Sequence, residues 1–193
     1  MALTTIIYAH PYNQSFNHAV LQETLRLLEA KGEPCRLIDL YADGFNPVYT
    51  AEELALFNSG QATDPLVLSY QQILQETQRL ILIFPVWWAD VPAVVKGFFD
   101  KVFLKTLAYT ETKTGLRGKL TNIHEALLLT TSTAPTFYLK YFCGNVMEKA
   151  VIRHTLKGVG VGVGRGKWVN FGKINASSAE QRQRFLSGLA KHI

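Results

Sequence analysis

The sequence predicts an α/β fold, a five-stranded parallel sheet with helices on both faces, and three observations carry that prediction. Short runs of aliphatic and β-branched residues recur at 3–9, 35–40, 79–84, 125–131 and 167–171. Stretches with apolar residues on one helical face separate most of them, so strand and helix alternate as in repeated βαβ units. The 193 residues, 48% of them hydrophobic, suffice for one substantial core and are short for two, so a single domain over residues 1–193 is expected.

Residues 3–9, Leu-Thr-Thr-Ile-Ile-Tyr-Ala, have the composition of a strand covered on both faces. Residues 18–31 place Val20, Leu21, Leu25, Leu27 and Leu28 largely on one face of a helix, with Asn17 as its cap and Gly32 as its stop. A shorter strand at 35–40 and an irregular connection at 41–49 follow. Thr50 and Glu53 have capping-box spacing for a short helix, and Asp64-Pro65 caps and opens another. Residues 79–84 form the most strand-like run, ended by Pro85. The next helix begins near Pro92 and carries Val94, Val95, Phe98, Phe99 and Val102. Residues 107–122 have poor periodicity and contain Gly115 and Gly118, which predicts a loop or hairpin excursion of a length that is commonly functional or disordered. A strand at 125–131, a helical pattern at 137–156 broken near Gly144-Asn145, a last strand at 167–171 and a terminal helix capped within Ser177-Ser178-Ala179-Glu180 complete the chain.

Twenty Lys and Arg against fifteen Asp and Glu give a net charge of +5 and a pI near 9.2. The basic residues are scattered, with no basic helix or aromatic–basic stripe, so no nucleic acid is expected as partner, and a phosphorylated cofactor accounts for the charge as well. Cys35 and Cys143 form no C-x-x-C pair and are expected as reduced, buried thiols. Residues 1–8 lack the pattern of an export signal. The most apolar stretch, 80–95, is interrupted by Pro85, Asp90 and Pro92, so no membrane insertion and a cytoplasmic location are expected. His18, His124, His154 and His192 lack metal-ligand spacing, and no metal is predicted. The glycines of 157–167 alternate strictly, which fits neither G-x-G-x-x-G nor a Walker loop and reads as a flexible approach to the last strand.

Ligands of open parallel sheets bind outside the carboxyl ends of the strands at the topological switch point, which directs attention to the loops after Ala9, Phe84 and Thr131. In the first loop, the His10 imidazole, Ser15 hydroxyl and Asn17 amide can each reach phosphate oxygens near a helix N-terminus. Equally, Ser15 and Asn17 can simply cap that helix while His10 packs in the core. In the second loop, Trp87 and Trp88 stand between Pro85 and Pro92 at the end of a central strand. Indoles there suit a planar ligand, and core filling is the alternative.

Ala9-His10-Pro11 with Ser15-Phe16-Asn17, and Phe84-Pro85-Val86-Trp87-Trp88 followed by residues 91–103, resemble the NAD(P)H:quinone oxidoreductases, the DT-diaphorase-like branch of the flavodoxin-like flavoproteins. Ala108-Tyr109-Thr110, Gly115-Leu116-Arg117-Gly118-Lys119 and Thr130-Thr131 follow in the family's order, and the likeness fades beyond Tyr138.

The resemblance implies a flavodoxin-like, flavin-binding domain in which His10, Ser15, Phe16 and Asn17 hold the cofactor's phosphates. The backbone of Pro85, Val86, Trp87, Trp88 and Ala89 would line the isoalloxazine, with Ala89 in a position that is often aromatic. Thr130 and Thr131 match paired threonines whose loop hydrogen-bonds the flavin's pyrimidine edge, and Ser132 and Thr133 stand where the family has Gly-Gly. Tyr138 keeps the spacing of the active-site tyrosine and is the catalytic candidate. The accompanying histidine is replaced near Gly144. Trp88, Tyr109 and Tyr138 would contact the acceptor, Tyr109 commonly in the partner's site, which implies a homodimer. FAD is the expected cofactor with FMN the alternative, and NADH or NADPH the donor. The implied reaction is ping-pong hydride transfer through flavin N5 to quinones or similar acceptors. An electron-carrier flavodoxin and a regulatory flavoprotein subunit of a potassium-efflux system are the competing assignments.

Overall fold

Every residue of the first strand, β1 (Thr4–Tyr8), is buried, because the sheet it enters is covered on both faces. The computed structural model describes residues 2–162 and 167–193. After β1 come α1 (Phe16–Ala30), β2 (Cys35–Asp39), α2 (Ala51–Ala55), α3 (Pro65–Glu76), β3 (Arg79–Pro85) and α4 (Ala93–Val102). A hairpin, β4 (Tyr109–Thr112) and β5 (Gly115–Gly118), precedes β6 (Glu125–Thr131), α5 (Thr136–Tyr141), a π-helix (Met147–Leu156), β7 (Lys167–Phe171) and α6 (Ala179–Gly188). Five strands pair in parallel in the order β2-β1-β3-β6-β7. The chain therefore steps outward from β1 to β2, then returns across β1 to β3 and continues the other way. The switch point lies between the carboxyl ends of β1 and β3.

Alternation along the strands divides the core in two. Ile6, Tyr8, Ile81, Ile83, Leu127 and Leu129 pack with α1 and the C-terminal segment. Ile7, Leu80, Leu82, Phe84, Ala126 and Leu128 pack on the opposite face with α3, α4 and the π-helix. A one-residue slip of any central strand would exchange the two sets, so burial holds the register, and with it the alignment of the strand ends.

Several local expectations change in detail. The cap of α1 is Ser15, whose Oγ accepts the His18 N–H at 3.1 Å, and Asn17 is buried inside the first turn. Residues 107–122 resolve into the β4–β5 hairpin, held where Gly118 meets Gly160 so closely that a Cβ on Gly118 would lie 2.1 Å from the Gly160 nitrogen. The break after α5 falls at Gly144 (φ +75°) and Asn145 (φ +54°), as expected, but the helix beyond it has π pitch. Cys35 and Cys143 are free and half-buried rather than fully enclosed. Residues 163–166, within the alternating glycine run and its expected flexible approach to β7, lie outside the described residues.

Candidate functional site

At the end of β3, Pro85 still pairs with Thr131, and the Val86 N–H donates to the Thr131 carbonyl at 2.7 Å. Trp87 and Asp90 then exchange two N–H···O bonds of 3.0 Å, closing a two-residue turn. Trp88 (φ +53°) and Ala89 (φ +62°) occupy its centre, in the left-handed pair of conformations that Asn-Gly ordinarily supplies. Each such non-glycine residue costs about 1–2 kcal/mol. The turn holds Trp88 fully out in solvent and leaves Trp87 45% exposed. Core filling therefore does not account for either indole. A strained turn that displays a large aromatic ring at a strand end is the pattern of a ligand shelf.

Beside this shelf opens a cleft of about 740 Å³. Val86, Trp87, Trp88 and Ala89 form one wall, and Ser132, Thr133, Ala134, Tyr138, Leu139 and Cys143 the other. Among the described residues no charged side chain lines it, so it suits a flat, uncharged ring system. Tyr138 lies half-exposed on α5 and stacks on Phe142, ring centroids 5.7 Å apart. Thr130 and Thr131 are buried and point to opposite faces of β6. The Thr130 hydroxyl donates to Asn170 Oδ1 (2.7 Å) and accepts from the Trp168 indole (2.8 Å), whereas Thr131 Oγ1 accepts from the Asn17 amide (2.8 Å). Both side chains are engaged within the protein, so the end of β6 offers the cleft its backbone and the Ser132-Thr133 segment.

The first loop lies next to the shelf, His10 meeting Trp87 edge-on at 6.5 Å. His10 Nδ1 accepts the Tyr12 N–H at 3.1 Å, which places the ring proton on Nε2. Burial pushes the imidazole pKa down, so His10 is a neutral donor at pH 7. Ser15 caps α1 through a lone pair, and its hydroxyl reaches the Tyr8 phenol, whose pKa burial nonetheless raises. Beneath the loop, Asn17 Oδ1 is buried with no partner among the described residues. The His10 Nε2–H and the first N–H groups of α1 are donors at a helix N-terminus and fit a bound phosphate, whereas Asn17 Oδ1 can only accept and does not. Phe16 packs instead on Phe171 (4.9 Å) and under the Arg182 guanidinium (5.9 Å). Phe171, Lys173, Arg184 and Phe185 line a second cleft of about 440 Å³ there.

A family model described as flavodoxin-like fold matches residues 3–192. The chain belongs to this flavodoxin-like family. Among its relatives, NAD(P)H dehydrogenase [quinone] 1 of Cavia porcellus is 30% identical over 149 residues, covering 69% of this chain and 54% of that protein. The chain thus spans about half the length of the first curated relatives it matches. Ribosyldihydronicotinamide dehydrogenase [quinone] of Mus musculus is 27% identical over 215 residues, covering 97% of this chain and 89% of that one. The structure of an NAD(P)H:quinone oxidoreductase from Methanothermobacter marburgensis superposes with a TM-score of 0.85 at 26% identity, covering 98% and 94% of the two chains. The resemblance to quinone oxidoreductases seen in the sequence is upheld.

Within this flavodoxin-like chain the three strand-end loops converge, but Tyr109 does not join them. It sits on β4 in a separate depression with Phe99, Phe103, Leu116 and Arg153. The cleft residues Leu139 and Cys143 escaped sequence reasoning, as did Trp168 and Asn170 behind Thr130. A trace of the last pair was present: in Lys-Trp-Val-Asn-Phe, Asn170 puts a polar side chain on the Trp168 face of a strand end. Among the described residues no helix is long and apolar enough to cross a membrane.

Proposed function

We propose that the chain is an NAD(P)H-dependent flavoprotein reductase of quinones or similar uncharged aromatic acceptors. The observation that carries this is the Trp88 indole, held in solvent by a strained two-residue turn beside an uncharged cleft. When bound, the flavin would supply hydride chemistry at N5, taking hydride from NAD(P)H and passing it to the acceptor in alternation. The chain's own residues prepare the site. Neutral His10, Ser15 and the first N–H groups of α1 hold phosphate, while Phe16 and Asn17 pack the loop in place. Trp87, Trp88 and the backbone from Pro85 to Ala89 form the shelf. Ser132 and Thr133 close the opposite wall, and the Tyr138 phenol is the group positioned to give a proton to the reduced acceptor.

FAD is favoured over FMN by the second cleft, where Lys173, Arg184 and two phenylalanines adjoin the first loop through Phe16 and offer cationic and aromatic contacts to an adenylate. A homodimer is favoured by Tyr109, which lines an aromatic depression away from its own cleft. The test is to purify the protein, release its cofactor, weigh it, and assay quinone reduction with NADH and with NADPH. A yellow protein that turns over quinones supports the proposal, and a colourless one that neither flavin reconstitutes refutes it. Bound flavin without NAD(P)H oxidation would indicate the electron carrier, and co-purification with a transporter the regulatory subunit.

A further inference from the structure

Asn170 lies on β7 in register with Thr130, and its carboxamide is used at both ends. Oδ1 accepts the Thr130 hydroxyl proton at 2.7 Å, while Nδ2 donates to Ser132 Oγ at 2.9 Å and to Thr136 Oγ1 at 2.8 Å. The directions are set by chemistry. The Trp168 indole can only donate, and it donates to Thr130 Oγ1 at 2.8 Å. The amide itself is oriented by Ser132: the Ala134 carbonyl can only accept, so Ser132 directs its proton there (2.7 Å) and must accept from Asn170, which turns Nδ2 toward Ser132 and Thr136 and leaves Oδ1 to take the Thr130 proton. The result is a polarised chain, Trp168 to Thr130 to Asn170 to Ser132 to Ala134.

That chain spans the segment between β6 and α5. It includes Ser132 in the cleft wall, and a branch from Asn170 reaches Thr136, the first residue of α5, two positions ahead of Tyr138. Ser132 is only 4% exposed, so its hydroxyl requires an internal partner, and Asn170 provides it. The Ser132 N–H is held as well, donating to the Phe171 carbonyl at 3.0 Å. We propose that Asn170 is a positioning residue: through Ser132 and Thr136 it sets the Ser132–Thr133 wall and Tyr138 at a working distance from the Trp88 shelf. The purpose rests on the reductase assignment, while the mechanical role does not.

The test compares Asn170→Ala with Thr5→Val, which removes a buried hydroxyl pair, Thr5 to Thr77 at 2.6 Å, at the far end of the sheet. In flavin-free protein, amide exchange at residues 133, 134 and 136–138 should quicken at least about tenfold in Asn170→Ala, which removes the bonds from Nδ2 to Ser132 and Thr136, while β1 and α1 stay unchanged. In flavin-loaded protein, the flavin dissociation constant and the acceptor KM should each rise about tenfold, with Thr5→Val leaving both within about twofold at a similar drop in Tm. Unchanged exchange at these amides, or equal effects in Thr5→Val, would overturn the proposal. Should Asn170→Ala not fold, Ser132→Ala cuts one arm of the network and is expected to shift the same amides and the same constants in the same direction. Wild-type protein that holds no flavin overturns the reductase assignment instead, and the exchange data still decide whether Asn170 fixes the loop.

Discussion

Trp88→Gly separates the energetics of the turn from the purpose of the indole. Trp88 is fully exposed, so its removal takes nothing from the core. Its φ of +53° costs a non-glycine residue about 1–2 kcal/mol, and glycine's greater unfolded-state freedom offsets about 0.5–1 kcal/mol of the relief. Flavin-free Trp88→Gly should therefore be at least as stable as wild type, by about 0–1.5 kcal/mol, a rise in Tm of up to about 6 °C for a chain of this length. Flavin binding should move the other way. Loss of one stacking ring is worth about 1–3 kcal/mol, or roughly a 5- to 150-fold higher dissociation constant. Urea unfolding of the flavin-free protein and a fluorescence-quenching titration with FAD and FMN measure the two terms. Stability falling by more than about 1 kcal/mol would show the indole to be a structural element after all. Unchanged flavin affinity would remove the shelf from the site.

Lys101→Ala should cost about 3–5 kcal/mol of stability, because Lys101 is 3% exposed and its removal strips the Glu53 carboxylate of the ammonium 2.8 Å away; a urea-derived loss under about 1 kcal/mol would contradict this. Burial alone would raise the Glu53 carboxyl, but the Lys101 ammonium and the Thr50 N–H override it and hold the group below the usual carboxylate range. Its contribution is thus complete above the unfolded value near pH 4.3 and is lost as pH falls through the lower folded value, so Glu53→Gln should flatten the acid limb of the stability curve. Gly97→Ala should destabilise by about 1–3 kcal/mol, since the new Cβ would stand 2.4 Å from the Pro47 carbonyl oxygen and 2.5 Å from its Cα; an unchanged Tm would show that the 47 loop yields freely.

Where burial and periodicity coincide, sequence and structure agree. Residues 79–84 read as the most strand-like run because their packing on both faces leaves no polar side to expose. The capping box expected of Thr50 and Glu53 forms, and the cap expected within residues 177–180 proves to be Ser178, whose box partner is Gln181. The start of α1 was less legible. Ser15 and Asn17 are both good caps, and what decides between them is Thr131, distant in sequence, which takes the Asn17 amide. The π pitch of Met147–Leu156 was not legible either, since the same apolar residues satisfy a helical pattern at ordinary pitch.

At the site, adjacent tryptophans between prolines were readable because a strand end leaves them few places to go. The threonine pair was harder, though strand parity constrains it: neighbours in a strand face opposite ways, so Thr130 and Thr131 cannot both turn their hydroxyls to one ligand. Each is instead held from its own side, Thr131 by Asn17 from α1 and Thr130 by Asn170 from β7. The end of β6 is clamped between two amides that belong to neither the strand nor its loop. Replacing Gly-Gly with Ser132-Thr133 therefore poses a question that residues 130–135 cannot answer among themselves. Ser132 fits because Asn170 receives it, and the path of the third loop is set from the edge of the sheet.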